Sequence, residues 1–365
     1  MKTSVAVSGE LRKGLHQGLQ AKLLQGGRPG LLLVLGISLI AALLLSVQFG
    51  AVPVKLQDWL TLLDFSDEQT LTGSSYVLWN IRLPRALFAV LVGAALGMSG
   101  ALTQGLFRNP LADPNLLGIT AGAAAAAGLS IVVLSGMHLP VPMSWRMWIL
   151  PVTAFSGALL VCFALDRVAR WISPGSIVGL LLTGIALNAL SAAVLGLCTY
   201  LATDEQLRNL SFWTLGSLAG ASWLAAGLLL ALLLPAWWWV RRMISAMNAL
   251  ALGEAAAAHV GIDVRRLRTQ VIVLVAVLTG FAVAWCGMIG FISLVAPHLV
   301  RTMGGPDQRQ VIPRSMLMGG LLLLVADTVA RCIAIPAEVP VGIFTALLGS
   351  PFFLILLRNA RGRLA

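Results

Sequence analysis

Apolar residues fill this chain in long blocks, and polar residues punctuate them. The blocks lack a two-residue alternation, so they predict helices rather than strands. Ten segments stand out, at about 31–50, 76–107, 116–135, 145–170, 177–201, 222–242, 269–288, 290–303, 311–333 and 341–357. All but one are long enough to cross about 30 Å of hydrocarbon as helices. The exception, GFISLVAPHLVRTM at 290–303, is too short, and Pro297 would kink a longer helix. It is expected as a half-depth piece packed inside the bundle. A short surface helix is expected near 205–215, between the fifth and sixth segments. The predicted fold class is all-α, a polytopic membrane protein with about ten transmembrane helices.

The main polar interruption is residues 248–268, NALALGEAAAAHVGIDVRRLR. Its pattern predicts two short helices joined at Gly261. Leu250, Leu252, Ala256 and Val260 make one apolar face at helical spacing. Gly261 is placed to end the first helix as a glycine just past the last turn. Asp263 is placed to cap a second, basic turn carrying Arg265, Arg266 and Arg268. A basic amphipathic element of this kind serves either as a membrane-surface helix or as a docking knob for a partner.

Composition agrees with the membrane reading. Of 365 residues, 58% are hydrophobic and 11% charged, where a soluble domain carries about 25% charged. Mean hydropathy is +0.91. A net charge of +11 invites a nucleic-acid reading, but the basic residues punctuate the apolar segments instead of forming a patch. With both termini in the cytoplasm, nineteen of the 25 Lys and Arg residues fall inside and six outside, namely Lys55, Arg82, Arg85, Arg146, Arg208 and Arg331. That bias follows the positive-inside rule. Residues 1–30 then form a basic cytoplasmic tail, 31–358 the membrane domain, and 359–365 a second cytoplasmic tail. The apolar run that begins near Leu31 is long and lacks a convincing cleavage site, so it is not read as a signal peptide.

Chemistry is sparse. No G-x-x-x-x-G-K-[ST] loop, H-E-x-x-H pair or readable Ser-His-acid order occurs, so the chain is expected to be a conduit powered from elsewhere rather than an enzyme. Cys162, Cys198, Cys286 and Cys332 lie in separate apolar segments, without the spacing of a disulfide framework or a zinc site. Asp327 and Arg331 sit four apart on one helix face and predict a local ion pair. His16 and His259 lie in the tail and the central loop, His138 in an external loop, and His298 in the half-depth segment. None of the four is placed as an iron ligand.

Several motifs carry a resemblance. LALGEAAAAHVGI resembles the Gly-Glu-Ala-x-x-x-x-x-Gly loop of permease subunits in ATP-driven importers. RLPRALFAVLVGAALGMSGALTQGLFRNPLADPNLLGITAGAAAAA (82–127), GFISLVAPHLVR, GGPDQRQVIPRSMLMGGLLLLVADTVAR and EVPVGIFTALLGSPFFLILLR are similar to the iron-siderophore, haem and cobalamin importer permease family. They occur in the family's order across almost the whole chain. TDEQLRNLSFWTLGSL (203–218) is most similar to the haem-importer group.

The resemblance implies a homodimer in the bacterial inner membrane with a path along its axis. Two ATPase subunits would sit below and a periplasmic binding protein above. ATP and magnesium would bind the ATPase, and no cofactor would bind this chain. Cargo would be haem, a ferric siderophore or cobalamin. Leu252, Gly253, Glu254, Ala255, His259 and Gly261 would couple to the ATPase. Arg82, Arg85 and Arg331 would meet acidic residues on the binding protein, whereas lipid anchoring is the plain alternative for such helix-end arginines. Ser173, Pro174, Gly175, Ser176 and Asn188 are candidates for the path or its gate.

Overall fold

A computed structural model describes residues 28–60, 73–134, 142–335 and 337–364. In order, the helices are α1 (Arg28–Gln48), α2 (Leu56–Leu60), α3 (Gly73–Phe107), α4 (Ile119–Leu134), α5 (Met143–Ile172), α6 (Ile177–Leu201) and α7 (Asp204–Leu215). They continue as α8 (Trp223–Ala251), α9 (Glu254–His259), α10 (Val264–Cys286), α11 (Ile292–Gly304), α12 (Gln308–Cys332) and α13 (Val341–Leu364). Among the described residues, seven helices are long and apolar enough to span a membrane, namely α1, α3, α5, α6, α8, α10 and α12. The shorter apolar α4 and α13, with α11, complete the ten segments expected.

Boundaries differ from the hydropathy reading where charge was taken as a helix end. α8 does not stop at Arg242 but continues to Ala251. The Ala-rich sequence after Arg242 favours helix whether or not lipid surrounds it. α10 begins at Val264, so the expected separate basic turn is the first turn of a 23-residue helix. α13 runs on to Leu364 through the stretch read as a tail. The helix starts follow capping chemistry. Ser176 accepts from Gly179 N (3.0 Å), Ser222 from Ala225 N (3.2 Å), Asp263 from Arg266 N (2.9 Å) and Asp307 from Arg309 N (2.9 Å). Thr203 and Gln206 close a capping box at the start of α7.

The core is built around α3, whose residues 92–107 are all buried. A helix buried on every side is the centre of its bundle. α12 lies against it with almost no side chain between the backbones. A Cβ at Gly93 would overlap the Gly319 carbonyl, and one at Gly97 would overlap the Ser315 carbonyl. Small residues allow this close approach, which lets dispersion and packing hold helices together inside a bilayer.

α11 starts against the last two turns of α3. Gln104 Nε2 donates to Leu294 O at 3.1 Å, and a Cβ at Gly100 would overlap the Ser293 carbonyl. At 13 residues α11 is too short to span a bilayer, as its sequence predicted. The non-helical stretch that leads to it is covered by protein, where irregular backbone is tolerated at membrane depth. Ser217 N donates to Cys286 O at 2.7 Å, and Gly342 N to Gly216 O at 3.5 Å.

Candidate functional site

The polar loop forms a small helical projection at one end of the bundle. Gly253, with φ 121°, breaks the chain out of α8, and six residues of α9 follow. Gly261, with φ 83°, closes α9. Its N–H reaches Ala258 O (3.0 Å) while Ile262 N reaches Ala257 O (3.1 Å). This pair of bonds is the Schellman arrangement that a glycine past the last turn permits.

The apolar face expected across the loop is not formed. Leu250 is buried at the end of α8, but Leu252 and Val260 are 82% and 69% exposed. Ala257 is the buried residue of α9. The reason is local: Gly253 interrupts the helical phase, so residues on its two sides share no face. Exposed Leu252 and Val260 flank a helix held away from the bundle, as a surface made for a partner would be. His259 Nδ1 lies 2.7 Å from Ala255 O and is thereby engaged within α9.

Two links tie this projection to the helices. Arg268, on α10, bonds Glu254 Oε1 through Nη2 at 2.9 Å and Gly175 O through Nη1 at 3.0 Å. Glu254 begins α9, and Gly175 lies in the α5–α6 turn. One guanidinium therefore spans the projection and the turn that holds Ser173, Pro174, Gly175 and Ser176. Gly175 has φ 84° and a Cβ there would meet nothing within 4 Å, so the turn is conformationally special yet not crowded. The second link joins α8 to α12: Asn248 Nδ2 donates to Asp307 Oδ1 (2.8 Å), and Gln308 N donates to Asn248 Oδ1 (2.9 Å).

Asn188, on α6, lies elsewhere. Its Nδ2 donates to Asn115 O at 3.0 Å, which fastens α6 to the α3–α4 turn. In that turn Asp113 accepts from Asn115 N (2.8 Å) and Ser293 Oγ (2.6 Å). Burial raises the Asp113 pKa from its ordinary value, and the bonds from Ser293 and Asn115 oppose that rise.

The three arginines expected as free groups at the opposite mouth are not free. Arg82 and Arg85 are buried. Arg82 sits on a π-helical stretch, Val77–Arg82. It donates through Nη1 to Val47 O (3.0 Å) and Gln48 O (3.2 Å), and through Nη2 to Val52 O (2.5 Å), and so ties the end of α1 to α3. Arg85 is gripped by two carboxylates, with Nη2 2.8 Å from Asp327 Oδ1 and Nη1 2.8 Å from Glu338 Oε2. Arg331 donates to Ser46 O and, at 2.8 Å, to Ser46 Oγ. The expected Asp327–Arg331 pair is present but long, at 3.8 Å. Asp327 pairs mainly with Arg85 across 242 residues of sequence, which no local pattern announces. Internal carbonyls and carboxylates occupy these guanidiniums, and reversing their charge would disturb the fold before any docking.

His298 and the cysteines take packing positions. His298 stacks edge-on against Phe352, with centroids 6.2 Å apart. Cys162, Cys198 and Cys286 are buried free thiols and Cys332 is half-buried. His16 and His138 lie outside the described residues.

A bundle of about ten membrane helices with a projecting, glycine-bounded helix defines the class: the membrane-spanning permease subunit of an ABC importer. The chain belongs to the FecCD transport family, whose model matches residues 38–359. ATP hydrolysis in such importers resides on a separate subunit, so this chain is not itself an enzyme, and the family works with ATPase and substrate-binding protein partners. It is 42% identical over 339 residues to the hemin transport system permease protein HmuU of Yersinia pestis, which covers 92% of this chain and 98% of that one. It is 43% identical over 282 residues to the vitamin B12 import system permease protein BtuC of Pectobacterium atrosepticum, covering 77% of this chain and 82% of that protein. Among solved structures, an inward-facing metal-chelate-type ABC transporter superposes with a TM-score of 0.77 at 30% identity, covering 91% of this chain and 99% of that one.

Proposed function

We propose that this chain moves haem from the periplasm to the cytoplasm as the permease of an ATP-driven importer. The observation that carries the cargo is the 42% identity to the hemin permease, which extends over 92% of the chain. A second reading, cobalamin, is favoured by relatives named as vitamin B12 permeases at 40–43% identity. In the proposed complex two copies form a homodimer with the path along its axis. The end bearing α9 faces the cytoplasm, both termini lie on that side, and each α9 seats in one ATPase subunit. The α5–α6 turn is the cytoplasmic gate. The binding protein docks at the opposite face. Arg82, Arg85 and Arg331 serve that face indirectly, by holding the outer ends of α1, α3 and α12 together.

The test is reconstitution in proteoliposomes with the cognate ATPase and binding protein. Haem should stimulate ATP hydrolysis and appear in the lumen. Stimulation and uptake with cobalamin or a ferric siderophore, but not with haem, would overturn the cargo assignment and leave the permease assignment standing.

A further inference from the structure

Two clefts near the α9 end are lined by arginine and tryptophan that none of the contacts above uses. The first, about 490 Å³, lies between α8 and α10 and is lined by Trp238, Arg242 and Arg266 among others. The second, about 380 Å³, lies between α5 and α10 and is lined by Arg167, Arg170, Trp171 and Arg265. Neighbouring residues on a helix point about 100° apart, and this sends Arg265 and Arg266 to different clefts. No carboxylate lines either one. Arg170 is paired with Asp166, which leaves the other arginines as the uncompensated charge. Arg242 is already shaped for a ligand: its guanidinium carbon lies 3.5 Å from the Trp238 ring centroid. Stacking of that kind orients the guanidinium and leaves its N–H edges available for phosphate.

An exposed stripe runs into each cleft, graded from apolar to basic on α8 and set as an arginine between two aromatics on α5. On α8, Leu234, Trp238 and Arg242 follow at four-residue intervals, with Leu234 61% and Trp238 56% exposed. On α5, Phe163, Arg167 and Trp171 do the same, with Phe163 and Trp171 exposed. Depth fits this grading. From Trp223, Trp238 lies about 22 Å and Arg242 about 28 Å along α8, against a hydrocarbon core of about 30 Å. The indole therefore lies inside the boundary, and the guanidinium reaches the headgroups from the edge of the hydrocarbon by extending along its stem. α8 then continues roughly 14 Å to Ala251 before α9 begins, while Arg265 and Arg266 lie in the first turn of α10, beside α9.

We propose that the two clefts bind anionic phospholipid. In each, an acyl chain lies along the apolar stripe and the phosphate sits between arginines of α10 and of α8 or α5. A free anion would have no use for the stripe, and a zwitterionic lipid would leave the paired charge unanswered. Because α10 carries Arg268 as well, bound lipid would brace the helix that joins α9 to the α5–α6 turn.

The experiment is native mass spectrometry of the detergent-solubilised complex of permease and ATPase. It is titrated with phosphatidylglycerol, with phosphatidylethanolamine, or with inorganic phosphate as competitor. Phosphatidylglycerol should be retained preferentially and should resist phosphate. Each surface arginine contributes about fivefold to the attraction of anionic lipid, so the pair Arg242→Gln with Arg266→Gln should weaken retention at the first cleft about 25-fold and leave the lipid of the second bound. Arg167→Gln with Arg265→Gln should act likewise, and Arg309→Gln, outside both clefts, should have no effect. Equal retention of the two lipids by the wild-type complex would overturn the proposal without any variant. So would displacement by phosphate, or unchanged retention in folded double variants. The readout needs no cargo, so it stands or falls separately from the haem assignment.

Discussion

Replacing Arg268 with methionine keeps an unbranched stem and removes both of its bonds, to Glu254 Oε1 and to Gly175 O. Two unit charges about 4 Å apart at an effective dielectric of 20 attract by about 4 kcal/mol. The Glu254 side chain is 37% exposed, and solvent screening reduces such a pair to about 1 kcal/mol or less. The bond to the Gly175 carbonyl, from a charged donor at an exposed site, adds roughly 1 kcal/mol. Together they hold the start of α9 to the α5–α6 turn by about 2 kcal/mol, which corresponds to roughly a 30-fold shift between linked and unlinked arrangements. The fold itself should survive, because α9 and the turn each keep their own backbone bonds.

In proteoliposomes containing ATPase and binding protein, Arg268→Met should still hydrolyse ATP but move several-fold less cargo per ATP. Spin labels at His259→Cys and Ser176→Cys should show a broadened distance distribution. Glu254→Arg, which sets two like charges against each other, should behave similarly. A wild-type ratio of transport to hydrolysis, together with an unchanged distance distribution, would show that this guanidinium transmits nothing.

Asp327→Asn should destabilise the protein by about 3–5 kcal/mol, because it leaves the buried Arg85 with only the half-exposed Glu338; a fall in the thermal midpoint in detergent is the check. Gly319→Ala should sharply lower the yield of folded protein, because the new methyl meets the Gly93 carbonyl, whereas Gly227→Ala, with nothing within 4 Å, should be tolerated. Fluorescence-detected gel filtration distinguishes the two. A thiol at Gly261 should react with a membrane-impermeant reagent only after cells are opened, and labelling of intact cells would reverse the proposed orientation.

What could be read from the sequence was local. The ten segments, the short α11, the capping role of Asp263 and the glycine stop at Gly261 all rest on patterns a few residues long. The family motifs then singled out the 248–268 loop, where α9 forms. What escaped depends on residues far apart in the chain. Arg85 meets Asp327 across 242 positions, so a helix-end arginine looked like an exposed docking group when it is an internal strut. Arg268 was visible only as part of a basic turn, since its reach to Glu254 and Gly175 requires knowing how α5, α9 and α10 lie together. The end of α8 differs for another reason: Trp239 and Arg242 mark where the apolar run ends, and a helix has no obligation to stop there.

The seam between α3 and α12 limits how the protein can change over generations. Most packed interfaces drift because a residue that grows on one side is matched by one that shrinks on the other. At Gly93 and Gly319 both sides already carry the smallest residue, and each faces the other's carbonyl. An enlargement there has no compensating partner, so lineages can keep this contact or lose it but cannot trade across it. Tolerated enlargements must therefore accumulate elsewhere, on helices such as α6 whose outward side chains do not interlock with that seam.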